Sequence, residues 1–245
     1  MKSSIRNLIL CAIFVPWAAT AATTVTVDPG GTWLGFMNVF DKSTPGYGAA
    51  GAGAFKFPSG WGTADLRATF SGSNLSLKAN TIGDPNEYWY QNTSGIATPP
   101  NVGGPGQAGN KIMDAAFYQE VTGPYAGITL TFTGIVLGNS LAQGPVDATG
   151  HGWTTVAFIK DFAPDYSSFV SSIVPLPPGV FSVSLNTIND PARHVQFGFQ
   201  TIGPNVWAGD PLSTPEVLIT AIPEPAGAAL AALGAALLGI RRRRI

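Results

Sequence analysis

Apolar and polar residues alternate one by one through several stretches of this 245-residue chain. A strict period of two suits strands with one buried face and little else. Thr23-Thr24-Val25-Thr26-Val27, Leu75-Ser76-Leu77-Lys78-Ala79 and Ile128-Thr129-Leu130-Thr131-Phe132-Thr133 follow it, as do Phe181-Ser182-Val183-Ser184-Leu185 and Val195-Gln196-Phe197-Gly198-Phe199-Gln200. Weaker runs lie at Trp33 to Phe40, Leu66 to Phe70, Thr154 to Lys160 and Val217 to Ala221. Turn formers punctuate them at Asp28-Pro29-Gly30-Gly31, Gly83-Asp84-Pro85-Asn86 and Asn189-Asp190-Pro191. Between about Gln91 and Lys111, Pro99-Pro100 and Gly103-Gly104-Pro105-Gly106 predict a long loop. Only Ile112 to Phe117 and Asp165 to Ser172 read as helical turns. About eight to ten strands in one unit predict an all-β, two-sheet antiparallel β-sandwich with jelly-roll topology.

The two ends read differently. Lys2 and Arg6 precede an apolar run, Leu8 to Val15, and Ala19-Thr20-Ala21 follows it with small residues. This layout predicts a helical signal peptide over 1–21, cut before Ala22 by a signal peptidase. At the other end Pro223-Glu224-Pro225 leads into an apolar helix, Ala226 to Ile240, closed by Arg241, Arg242, Arg243 and Arg244. Such a helix rises only about 22 Å, short of the roughly 30 Å hydrocarbon core, so it spans with thinning or snorkelling. The arginines favour the cytoplasmic side, which leaves the 22–222 body outside that membrane. Residues 223–245 resemble the PEP-CTERM sorting tail, also labelled an ice-binding protein C-terminal domain. The resemblance implies an exosortase as partner, transient inner-membrane anchoring, and a destination in the envelope or extracellular matrix of a Gram-negative, exopolysaccharide-making bacterium.

The body carries its own charge. Six of the 13 basic residues and one of the 14 acidic residues belong to the ends, leaving 22–222 with seven against thirteen. An acidic body excludes nucleic acid as a partner, since phosphates need a basic face. Cys11 is the only cysteine and falls in the signal, so the mature body has no disulfide, thiol nucleophile or cysteine metal site. Catalytic patterns are missing as well. His151 and His194 form no HExxH, no Gly-x-Ser-x-Gly elbow occurs, and nothing pairs Glu87, Glu120 and Glu216 as a glycosidase requires. The chain reads as a non-enzyme.

Binding chemistry falls to the aromatics. Trp207 beside Gly209-Asp210-Pro211, Trp61 within Ser59-Gly60-Trp61-Gly62, Trp89 with Tyr88 and Tyr90, and Trp33 are the candidate carbohydrate platforms. Flat rings cover the C–H faces of sugars while neighbouring Asn, Gln and acidic groups bind hydroxyls. On a strand Tyr88 and Tyr90 share one face and Trp89 takes the other. The competing reading puts these rings in the core. No cofactor is called for; calcium is the alternative, through Asp161 and Asp165, residues that otherwise serve as turn formers.

Two segments carry a second resemblance. His194 to Trp207 looks like the closing strands of jelly-roll carbohydrate-binding modules, and Thr32 to Phe40 resembles their first aromatic strand. It implies a lectin-like body, with exopolysaccharide as partner. The alternatives are a structural or adhesive biofilm matrix protein and, more remotely, a glycoside hydrolase. Ice binding would need a flat threonine face, and Thr129, Thr131 and Thr133 make one short row.

Overall fold

The computed structural model describes residues 21–42, 52–91, 108–142, 146–147 and 149–222. The stretch expected as a signal peptide, apart from Ala21, and the one expected as a sorting tail, with Pro223, Glu224, Pro225 and Arg241 to Arg244, lie outside the described residues, as does Ala19. Among the described residues no helix is long and apolar enough to cross a membrane.

Among the described residues fourteen strands follow in chain order: β1 (Ala22–Thr26), β2 (Leu34–Lys42), β3 (Ala52–Gly60), β4 (Ala68–Ser71), β5 (Asn74–Lys78), β6 (Tyr90–Gln91), β7 (Ala108–Gly109), β8 (Lys111–Thr122), β9 (Thr129–Asn139), β10 (Thr154–Phe162), β11 (Phe169–Pro175), β12 (Gly179–Asn186), β13 (His194–Pro204) and β14 (Glu216–Thr220). A single 3-10 turn, Pro211–Ser213, is the helical element among the described residues. One sheet runs β1-β9-β14-β5-β4 with β12 on the other edge of β9; the second runs β11-β10-β13-β8-β2-β3. Counting β5 and β8 to β14 as strands one to eight, the sheets read 1-8-3-6 and 2-7-4-5. That interleaving is the jelly roll, two Greek keys wound through two facing sheets. The second sheet is wholly antiparallel; in the first, β1 runs parallel to β9. β1 and β14 share one edge of β9 end to end, pairing residues 129–133 and 135–139.

Alternation builds the core. Leu130, Phe132 and Val136 of β9 share one core cluster with Phe197 and Phe199 of β13 from the facing sheet. Phe132 is the hub, with ring centroids 5.4 Å from Phe181, 5.5 Å from Phe197 and 5.2 Å from Phe199.

Two readings need correcting. Ile112 to Phe117 is not a helical turn but the middle of β8, a twelve-residue strand between β13 and β2. Met113, Ala115 and Phe117 face the core, and pairing on both edges overrides the helix preference of Met and Ala. Asp165 to Ser172 divides into a tight turn and the start of β11. At the two ends of the stretch expected as a long loop, β6 pairs with β7, Tyr90 with Gly109 and Gln91 with Ala108; residues 92–107 lie outside the described set.

Replacing Phe132 by Ala should destabilise the chain by about 3–5 kcal/mol in urea unfolding, because a ring bridging both sheets leaves a cavity. Leu137→Ala, at a residue 51% exposed, should cost under about 0.5 kcal/mol.

Candidate functional site

In a period-two strand whose inner face fills a core, the alternate residues form one outer face. On the six-stranded antiparallel sheet that outer face is neither flat nor featureless. It holds a groove of about 810 Å³, within the range of small-molecule sites. β8 contributes Asp114, Ala116, Tyr118 and Glu120, and β13 contributes Gln196 and Gln200. Phe36 and Asn38 of β2 form one side; Lys160 and Phe162 of β10, with Phe169, Ser171 and Ile173 of β11, form the other. Ala116 is the smallest side chain of the lining, and Gly198 stands between Gln196 and Gln200 on the same face of β13. A Cβ at Gly198 would fall 2.2 Å from the Phe117 carbonyl oxygen and 2.6 Å from Tyr118 Cα, so glycine alone fits beside Tyr118.

The polar groups are held by one another. Glu120 accepts hydrogen bonds from Gln196 Nε2 at 2.7 Å and from the Tyr166 hydroxyl at 2.9 Å. Asp114 accepts from Gln200 Nε2, and at 3.5 Å from Asn38 Nδ2. Each carboxylate is thereby oriented and keeps lone pairs for a visitor. Burial pushes the Tyr166 phenol up to about 12, and its bond to Glu120 adds to the rise. Burial also lowers the Lys160 ammonium below the usual lysine range, opposed in part by Asp114. The Lys160 Nζ lies 4.3 Å from the centre of the Phe158 ring. Tyr166 sits in the turn after β10 with φ of 58°, a left-handed conformation that a bulky side chain adopts only under constraint. The constraint is visible: its ring stacks on His194 at 4.5 Å and 3°, and its hydroxyl reaches Glu120.

None of the six candidate platforms lines this groove. Tyr90 is fully buried; its hydroxyl donates to the carbonyls of Ile82 and Val206, and burial pushes it up to about 12. Trp33 lies flat on Phe117 at 4.5 Å and 2°, with Nε1 donating to Asp28 O at 2.7 Å. Trp61 and Trp89 are half-buried against the core, Trp89 edge-on to Phe57 at 6.4 Å. Trp207 packs edge-on to Tyr90 at 5.6 Å. Tyr88 is exposed beneath Lys111 Nζ, 4.2 Å from its ring centre.

Each calcium candidate has its carboxylate engaged within the protein. Asp161 is fully buried, its Oδ1 taking Arg193 Nε and its Oδ2 the Ile188 backbone N–H, both at 2.7 Å. Asp165 caps its own turn, bonded to Ser167 through N at 3.1 Å and Oγ at 2.6 Å. No group of three or more potential metal ligands gathers among the described residues.

The groove residues carry a sequence signal of their own, in the polar half of the strand alternation. Gln196-x-Gly198-x-Gln200 and Asp114-x-Ala116-x-Tyr118-x-Glu120 are the off-beat positions of two core strands. In β8 the helical reading of Ile112 to Phe117 hid that parity. No protein-family model, curated protein or solved structure matches the chain.

Arg193→Met should destabilise the fold by about 3–5 kcal/mol, because it strands the Asp161 carboxylate in the core. Adding Asp161→Leu should recover part of that loss in the same urea titration. An Arg193→Met variant as stable as the parent would show that the pair does not hold the β10 end.

Proposed function

We propose that this chain is an exported, non-catalytic binding protein that takes carbohydrate in the groove of its antiparallel sheet. Sorting through the tail at 223–245 remains part of the proposal, on the motif alone. One observation carries the binding reading. The groove sets aromatic faces (Phe36, Tyr118, Phe162, Tyr166 and Phe169) around carboxylates pre-oriented by amides. Rings cover the C–H faces of a sugar, and fixed acceptors with Gln, Asn and Lys donors suit a ligand studded with hydroxyls. Preorganised acceptors lower the cost of ordering on binding. The strain at Tyr166 points the same way, since sparsely populated backbone conformations gather at sites of use.

Two carboxylates in one cleft also raise the hydrolase alternative. Asp114 and Glu120 are six residues apart on one strand, about 20 Å between Cα atoms. Glycosidase pairs stand about 5–9.5 Å apart. The spacing supports binding over hydrolysis.

Calorimetric titration of the chain with a panel of neutral and acidic polysaccharides, bacterial exopolysaccharides among them, tests this. Saturable binding should fall at least about tenfold, or 1.4 kcal/mol, in Tyr118→Ala and Tyr166→Ala, and stay within about twofold in Trp207→Ala. Tyr166→Gly should weaken binding equally and be about 1 kcal/mol more stable than Tyr166→Ala, since both lose the ring's contacts and only glycine relieves the left-handed backbone. Absence of binding across the panel would transfer the case to a structural matrix protein, a reading that the core-packed tryptophans favour.

A further inference from the structure

A second polar cluster lies away from the groove and takes no part in it. Lys42, the last residue of β2, and Asp147, in the segment before β10, are sealed together, their side chains 4% and 2% exposed. The Lys42 Nζ donates to Asp147 Oδ2 at 2.5 Å, to Gly109 O at 2.6 Å and to Thr149 Oγ1 at 2.7 Å. The other carboxylate oxygen is turned the opposite way. Asp147 Oδ1 accepts the backbone N–H groups of Thr149 at 2.9 Å and His151 at 3.0 Å, and the Thr149 hydroxyl at 2.8 Å. That hydroxyl also lies 2.9 Å from His151 Nδ1.

An amine thus sits against one carboxylate oxygen while three donors surround the other. Two backbone N–H groups and a hydroxyl on a single oxygen are what stabilises charge in an acyl-transfer intermediate. Taking two full charges out of water is costly unless the pair is very well satisfied, and an amide in the same place carries no charge at all.

We propose that Lys42 and Asp147 join in an isopeptide bond, a covalent staple in a body that has no cysteine. One proton passes from Nζ to Oδ2, which turns the ion pair into a neutral amine and acid. The amine attacks Cγ, and the negative charge develops on Oδ1 within its three donors. A second proton moves from nitrogen to Oδ2, and the Cγ–Oδ2 bond breaks to release water. The carbonyl re-forms on Oδ1, and the remaining N–H keeps Gly109 O as its acceptor. Two of the three ammonium protons leave in the water and one stays on the amide, so the step balances without oxidant or co-reactant. Burial of the pair favours the neutral amine, since desolvation draws the Lys42 ammonium below the usual lysine range. Burial also raises the Asp147 carboxyl, but its bonds to Lys42, His151 and Thr149 leave it lowered overall. The first proton transfer is therefore uphill, and it is the close contact of Nζ with the carboxylate that carries the step. The same enclosure keeps bulk water from reversing the reaction.

The test is mass spectrometry on the folded full chain with its termini established. Its mass should fall below that of the sequence by one water, and digestion should yield a branched peptide joining Lys42 to Asp147. Lys42→Met and Asp147→Ala should each restore the full mass and abolish the branched peptide. Wild-type chain at its full mass overturns the proposal. So does a water loss that persists in Lys42→Met, which would mark cyclisation at an aspartate instead.

Discussion

A strand has two faces, and β8 and β13 put both to use. Their inner residues, Met113, Ala115 and Phe117 with Val195, Phe197 and Phe199, close the sandwich around Phe132. Their outer residues, Asp114, Tyr118 and Glu120 with Gln196 and Gln200, line the groove. A slip of one residue would send the phenylalanines to solvent and the glutamines into the core. The aromatic packing that keeps the sheets together therefore also fixes which polar groups meet outside. Gln196 finds Glu120 because those residues are directly paired across β13 and β8. The geometry of the groove follows from the register, and the register follows from the core.

That dependence explains what was legible beforehand. β5, β9, β12 and β13 announce themselves, because polar or glycine residues on the off-beat alternate with large apolar ones inside along most of each strand. The sandwich, and the jelly roll expected from the strand count, could be read from them. β8 could not, because its outer face is itself part aromatic and its middle is rich in Ala and Met, so no clean alternation survives. β11 failed for a related reason: Phe169, Val170 and Ile173 are exposed on a sheet edge, where the pattern reports no core. The groove lies on those two strands and their neighbours. It stayed hidden because its face mixes aromatic and polar side chains.

The size of the tryptophans suits them to packing as well as to binding. A large ring draws notice in a sequence, yet its surface is also what a sandwich needs to plug the openings between its sheets. Trp33 does this by stacking on Phe117, and Trp153 by burying entirely with Nε1 donating to Pro204 O at 3.2 Å. Smaller rings on the outer sheet remain available because the core has no use for them. Tyr118 points away from Phe117, its neighbour in the chain, for no deeper reason than the pleat.

Buried charge makes a parallel argument at the ends of the strands. Asp161 ends up inside because its neighbours Ile159 and Phe197 on the inner face do, and only Arg193 with the Ile188 amide makes that tolerable. Lys42 and Asp147 meet the same difficulty where β2 runs out, against Thr149 and the His151 amide. Both pairs lie where the ladder stops and backbone groups lose their sheet partners, so the same carboxylates that need donors supply acceptors to N–H groups left over by the strands. An ion pair alone would be a poor clamp in so dry a place, since desolvation offsets most of its attraction. What distinguishes Lys42 from Arg193 is chemistry: a guanidinium cannot give up its proton and attack, whereas a desolvated amine can. The two ends of the sandwich therefore start from one physical problem and, as proposed, reach different solutions to it, a satisfied ion pair at Asp161 and a covalent bond at Asp147.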